Sequence, residues 1–93
     1  MAQEVRNNAD RSRYELLIDG HLAGLADYHV TGDAVVFPHT EVEPRLQGRG
    51  LGAELVRAAL DDVRGTGRRV VPHCWYVAQF IDEHPEYRDL LAA

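Results

Sequence analysis

The chain contains no lysine. All ten of its basic residues are arginine, set against 15 acidic residues for a net charge of −5. That balance excludes the basic surface that nucleic-acid binding requires, so no nucleic-acid partner is expected. The missing lysine also excludes a Walker A loop, which closes on Lys followed by Ser or Thr. One cysteine, Cys74, excludes an internal disulfide framework and points to a reducing, cytoplasmic setting. No apolar run approaches the roughly 18 residues of a membrane span, so no membrane partner is expected. The polar start, Met1 to Asn8, has the features of neither a signal nor a transit peptide. It reads as a frayed end, within a flexible N-terminus over residues 1–10.

Ninety-three residues at 45% hydrophobic content suit one small-core domain, taken as residues 11–93. Tyr14 to Ile18 reads as a strand that ends on Asp19-Gly20, a strong two-residue hairpin signal. His21 to Val30 is the returning strand. Thr31-Gly32-Asp33 is a second turn, and Ala34 to Phe37 a third strand, interrupted or bulged at Pro38 and continued from Thr40 to Val42. From Ala53 to about Arg64 the pattern changes to helical. Leu55, Ala59 and Val63, with Val56 and Leu60 alongside, form one wide apolar face, and Gly65-Thr66-Gly67 ends it. Arg69 to Val71 is a short strand that should pair in parallel, because a helix connects it to the strand before. Tyr76 to Glu83 reads as a shorter helix with Val77, Phe80 and Ile81 inward, and Glu86 to Leu91 as a last helical turn or two. The expected class is α+β: a mixed, mainly antiparallel sheet with helices packed on it.

Between the third strand and the long helix runs Gln47-Gly48-Arg49-Gly50-Leu51-Gly52. Glycines there let the backbone approach a bound group closely. The first N–H groups of the helix have no internal partner and carry partial positive charge, which suits phosphate. Arg45 and Arg49 add charge nearby. The spacing is not the dinucleotide G-x-G-x-x-G. Gln47, Gly50 and Gly52 fit Q/R-x-x-G-x-G/A, which resembles the pyrophosphate loop of the GNAT superfamily of acyl-CoA N-acyltransferases. His39-Thr40-Glu41-Val42 before the loop, and Pro72-His73-Cys74-Trp75-Tyr76-Val77 and His84-Pro85-Glu86-Tyr87 after it, are similar to the compact, single-domain GNAT-like N-acetyltransferases. The likeness runs from Tyr14 to Leu91.

The resemblance implies an acyl-CoA N-acyltransferase fold, acetyl-CoA or coenzyme A as the ligand, and transfer of an acetyl group to an amine of unknown identity. It places the pantetheine arm along Glu41-Val42, and the pyrophosphate on Arg45, Gln47, Gly48, Arg49, Gly50, Leu51 and Gly52. Cys74 then lies near the thioester, as a nucleophile beside His73 or as a small buried hydrophobe at a strand end. Glu41 and His39 are candidate bases. The Tyr76 hydroxyl is a candidate acid at the thiol end. Trp75 and Phe80 are core or a wall of the pantetheine site, and Tyr87 should close the C-terminal segment over the sheet. Asp82, Glu83, Glu86 and Asp89 either attract a cationic acceptor or form a solvated helix face. His73 and His84 lack ligand spacing, so no metal is expected. GNAT domains usually carry N-terminal helices that shape the acceptor pocket, and this chain passes from strand to strand instead. The expected function is an acetyl-CoA-dependent N-acetyltransferase; the alternative is a CoA-binding module with little or no catalysis. The expected state is a monomer or weak dimer.

Overall fold

A computed structural model describes residues 2–92. Five strands lie in one sheet in the order β1-β2-β3-β4-β5. They are β1 (Gln3–Asn8), β2 (Arg13–Ile18), β3 (His21–Thr31), β4 (Ala34–Val42) and β5 (Arg69–Val71). Helix α1 (Leu51–Thr66) joins β4 to β5, and α2 (Trp75–Glu83) follows. Three 3₁₀ turns, Ala9–Arg11, Pro44–Leu46 and Pro85–Leu90, complete the chain. The class is α+β, as the sequence predicts.

The antiparallel meander follows from its turns. Asp19 and Gly20 both adopt positive φ, 51° and 83°. That is the twist a two-residue hairpin needs, and it sets Ile18 opposite His21. Between β3 and β4 the register slips at the expected proline. Asp27 faces His39 while His29 faces Val36, so Phe37 and Pro38 stand against Tyr28 alone. Proline has no N–H to give a ladder, and the bulge absorbs it.

The first residues depart from the expected frayed end. Gln3–Asn8 pairs along the whole of β2 as an edge strand. Its only large apolar side chain is Val5, so no hydrophobic alternation announces it. What holds it is non-local: the backbone ladder, Ala2 N–H donating to Asp19 Oδ1 at 2.9 Å, and Arg6 and Asn8 donating to Glu15 at 3.3 and 3.2 Å.

Helix α1 begins two residues before the predicted start and runs through Gly65 to its left-handed cap at Gly67. Its buried stripe, Leu51, Leu55, Val56, Ala59, Leu60 and Val63, packs on the sheet face that carries Tyr14, Leu16, Val35, Phe37 and Val70. β5 returns parallel to β4. Val77, Phe80 and Ile81 of α2 join the same core. Two tyrosines clamp α1: Tyr14 donates to Asp62 at 2.6 Å, and Tyr87 to Asp61 at 2.7 Å. Tyr87, buried in the core, also fastens the C-terminal turn to α1. The segment meets the sheet through its backbone, with Ala92 N–H donating to Val70 O.

Neither helix covers the opposite face of the sheet. Glu15, which alternates with Tyr14, points there and is only 4% exposed. Its carboxylate is covered by its own donors, including Arg13 at 2.8 Å. The hydrogen bond from Arg13 leads a set with Asn8 and Arg6 that outweighs burial and lowers the Glu15 pKa.

Candidate functional site

β4 and β5 pair over three residues only, Ala34 to Val36 with Arg69 to Val71. Cys74 N–H makes one more bond, to Phe37 O at 2.8 Å. Beyond it Pro38 supplies no donor, Pro72 turns the other chain, and the two diverge. β4 continues to Val42 bonded to β3 alone. The gap is a cleft of about 640 Å³ that reaches the start of α1.

The loop end of the cleft is built from backbone. Gly48 and Gly50 sit at φ 85° and 75°, and Gly50 is the N-cap of α1. A side chain at either would strain the left-handed conformation. A Cβ at either would meet no protein atom within 4 Å, so the space above them is open to a ligand. The first helical bond is donated by Glu54 to Gly50 O, which leaves the N–H groups of Leu51, Gly52 and Ala53 free to point at an anion. Gly52 is required for a different reason: a Cβ there would lie 2.5 Å from the Tyr76 hydroxyl oxygen. Gln47 donates its side-chain amide to Val42 O at 3.3 Å and ties the loop to the end of β4. Val42 lines the cleft.

The two arginines lie elsewhere. Arg45 pairs with Glu43 at 2.7 Å. Arg45 and Arg49 line a neighbouring hollow with Asp19 and His21. No arginine lines the cleft itself.

The cleft is also lined by Cys74, 8% exposed, at the N-cap of α2. Its sulfur lies 3.5 Å from Thr40 Oγ1. Burial, the largest influence, pushes the thiol pKa up. The Thr40 hydroxyl and the backbone N–H groups of Val77, Tyr76 and Thr40 pull the other way, and the net shift is down. Those donors favour the thiolate. Thr40 is the functional neighbour that sequence reasoning missed. Strand alternation was the available signal, since it turns Thr40 away from His39 and Glu41. Tyr76 is a half-buried wall of the cleft. Burial and then the Glu83 charge raise its pKa, so its hydroxyl keeps its proton at neutral pH.

His39 Nε2 lies 3.2 Å from Glu41 Oε1, and both side chains are more than half exposed. His39 and His73 line the cleft. Glu41 lines an adjoining groove with Leu25 and Val42, is not itself among the residues lining the cleft, and pairs with His39, which is. Phe80 is core, whereas Trp75 stands 73% exposed at the cleft rim. Three of the four acids at the C-terminal end face arginines: Asp89 with Arg64 at 2.7 Å, Asp82 with Arg88 at 3.6 Å and Glu86 with Arg57 at 3.7 Å. Among the described residues, no group of three His, Cys, Asp or Glu is placed to hold a metal.

Residues 13–90 match the profile of the GCN5-related N-acetyl-transferase family. Bovine Protein NATD1 is 32% identical over 83 residues, covering 87% of this chain and 74% of NATD1. A GCN5-like protein from Staphylococcus aureus superposes with a TM-score of 0.74 at 17% identity, over 97% of this chain and 88% of that one. The Escherichia coli ribosomal-protein-S18-alanine N-acetyltransferase superposes with a TM-score of 0.68 at 21% identity, over 84% of this chain and 55% of its own length. This chain thus spans about half of that enzyme. N-acetylglutamate synthase from Neisseria gonorrhoeae, solved with coenzyme A and N-acetyl-glutamate, has a TM-score of 0.59 at 26% identity, over 66% of this chain and 15% of that one. The fold is that of the GNAT acyltransferases, and the chain belongs to the GCN5-related N-acetyl-transferase family.

Proposed function

We propose that the protein binds acetyl-CoA in the cleft between β4 and β5 and moves its acetyl group to an amine. The observation that carries this reading is the divergence of β4 from β5, which ends on the unpartnered N–H groups of α1. The residues fit the ligand. The N–H groups of Leu51 to Ala53 suit a pyrophosphate, and Gly48 and Gly50 leave open space above the loop. The cleft side of β4 near Val42 offers backbone to an extended amide arm. Bound acetyl-CoA supplies an acetyl group activated as a thioester.

The chain's own residues do the rest. His39, backed by Glu41, takes the proton that an amine must lose before it attacks. Tyr76 keeps its hydroxyl proton at neutral pH and offers it where thiolate charge develops. Cys74 holds its place beside Thr40 in direct transfer. In the covalent route its thiolate would take the acetyl group as the CoA C–S bond breaks and CoA leaves as its thiolate, and the acetyl group would then pass to the amine as the Cys74 C–S bond breaks. Direct transfer is the simpler route, because the buried thiol is reached only from inside the cleft. The neighbouring hollow with Arg45 and Arg49 supports a long-range electrostatic role for these two residues.

Incubation with labelled acetyl-CoA, followed by intact-mass analysis and an assay for free CoA, tests the reading. Binding together with amine-dependent release of CoA is expected. Binding without release under any amine would leave a CoA-binding module. A protein mass raised by one acetyl group, sensitive to hydroxylamine and lost in Cys74→Ser, would establish the covalent route.

A further inference from the structure

Besides the glycine loop, the cleft is lined by Pro38, His39, His73 and Trp75. Trp75 is the most exposed large hydrophobic side chain among the described residues. Its position is set twice over. It is the first residue of α2, directly after the Cys74 N-cap. Its ring also meets Tyr76 edge to face, with centroids 5.7 Å apart and planes at 83°. An indole that follows Cys74 in the chain and stands 73% exposed contributes little to the core, and it leaves a flat, electron-rich surface on the cleft lining.

The charge around it is one-sided. No arginine lines the cleft, and the chain has no lysine, so no fixed cation stands against the indole. His39, which lines the same cleft, is paired with Glu41 at 3.2 Å. The negative face of an indole attracts an ammonium ion, and a carboxylate-backed imidazole can then remove its proton.

We infer that Trp75 is the platform of the acceptor subsite, and that the acceptor is a primary amine which docks as its ammonium ion over the indole face. The inference rests on the acetyl-transfer reading and deepens it. The docked ammonium gives one proton to His39 Nδ1, while Glu41 accepts from the Nε2–H side and stabilises the imidazolium. The freed nitrogen pair forms the N–C bond as the C–S bond breaks. The second nitrogen proton leaves with the thiolate sulfur, so charge and atoms balance. The uncovered face of the sheet beyond His39 leaves room for the body of the acceptor.

Trp75 is the only tryptophan in the chain, so intrinsic fluorescence reports this site alone. The free protein and the CoA-loaded protein are titrated with n-butylammonium chloride, and separately with neutral n-butanol, at constant ionic strength. A saturable change is expected with n-butylammonium, and binding at least about threefold weaker with n-butanol. A linear response, or equal affinity for the two probes, would overturn the platform. Calorimetry on Trp75→Ala gives the second reading. CoA affinity within about twofold of wild type is expected, because the loop backbone and the free N–H groups of α1, not the exposed indole, are placed to hold the phosphates. A tenfold or greater loss would assign Trp75 to the cofactor and overturn the inference. If the protein binds no CoA at all, the acetyl-transfer reading fails, while the titration of the free protein still decides whether Trp75 holds an ammonium.

Discussion

Replacing Gly52 with alanine tests the junction between α1 and α2. The new Cβ would stand 2.5 Å from the Tyr76 hydroxyl oxygen, 3.0 Å from Cζ and 3.3 Å from Cε2. Ordinary contact begins near 3.4 Å, so the ring must retreat by close to an ångström or the helix start must shift. Overpacking of this kind costs about 1–3 kcal/mol. Alanine returns up to about 1 kcal/mol of helix propensity, less in a first turn. The net expectation is a loss of roughly 1–2 kcal/mol, or about 4–16 °C in Tm for a domain of this size. The decisive assay is a double-mutant cycle by urea denaturation. Tyr76→Phe removes the atom at 2.5 Å and leaves the ring carbon at 3.0 Å, so Gly52→Ala should cost clearly less in that background. A coupling of about 1 kcal/mol is expected from residues in direct contact. Equal costs in the two backgrounds would refute the argument, because the hydroxyl contact would then not be what requires glycine.

Three further outcomes are expected. Gly50→Val places a branched side chain at φ 75° over the open loop; it should weaken CoA binding by more than about tenfold in calorimetry, and unchanged affinity would remove the loop from the site. Cys74 should show thiolate absorbance at lower pH than an ordinary thiol, read against Cys74→Ser. Thr40→Val should move that titration upward, because it removes the strongest of the groups that lower the pKa. Glu15→Gln should destabilise the fold at neutral pH by about 1–3 kcal/mol, because the replacement loses charge-assisted bonds. The Glu15 carboxyl is depressed in the fold, so its contribution is complete above the ordinary carboxylate pKa and is lost as pH falls through the lower folded value. The gap between wild type and Glu15→Gln in urea should close over that acidic range, and a gap that widened in acid would contradict the sign.

The sequence by itself determined the elements whose signals are local. Asp19-Gly20 specifies the hairpin because both residues tolerate positive φ. The apolar stripe of α1 and the glycines at 48 and 50 can be read from spacing, since each answers to its own backbone. The position of the glycine loop was legible for the same reason. Tertiary structure alone decided whatever depends on residues distant in the chain. Gln3–Asn8 becomes a strand because β2 supplies the ladder and Glu15 gathers its polar side chains. Gly52 is required by a tyrosine 24 positions later, a contact that no periodicity encodes. Thr40 becomes the thiol's partner because the Pro38 bulge brings β4 beside the start of α2. The arginines next to the loop turn outward to Glu43 and a separate hollow, since nearness in sequence does not set the direction of a side chain. Packing likewise left Trp75 at the rim, because α2 has the expected face of Val77, Phe80 and Ile81 against the core and Trp75 stands outside it.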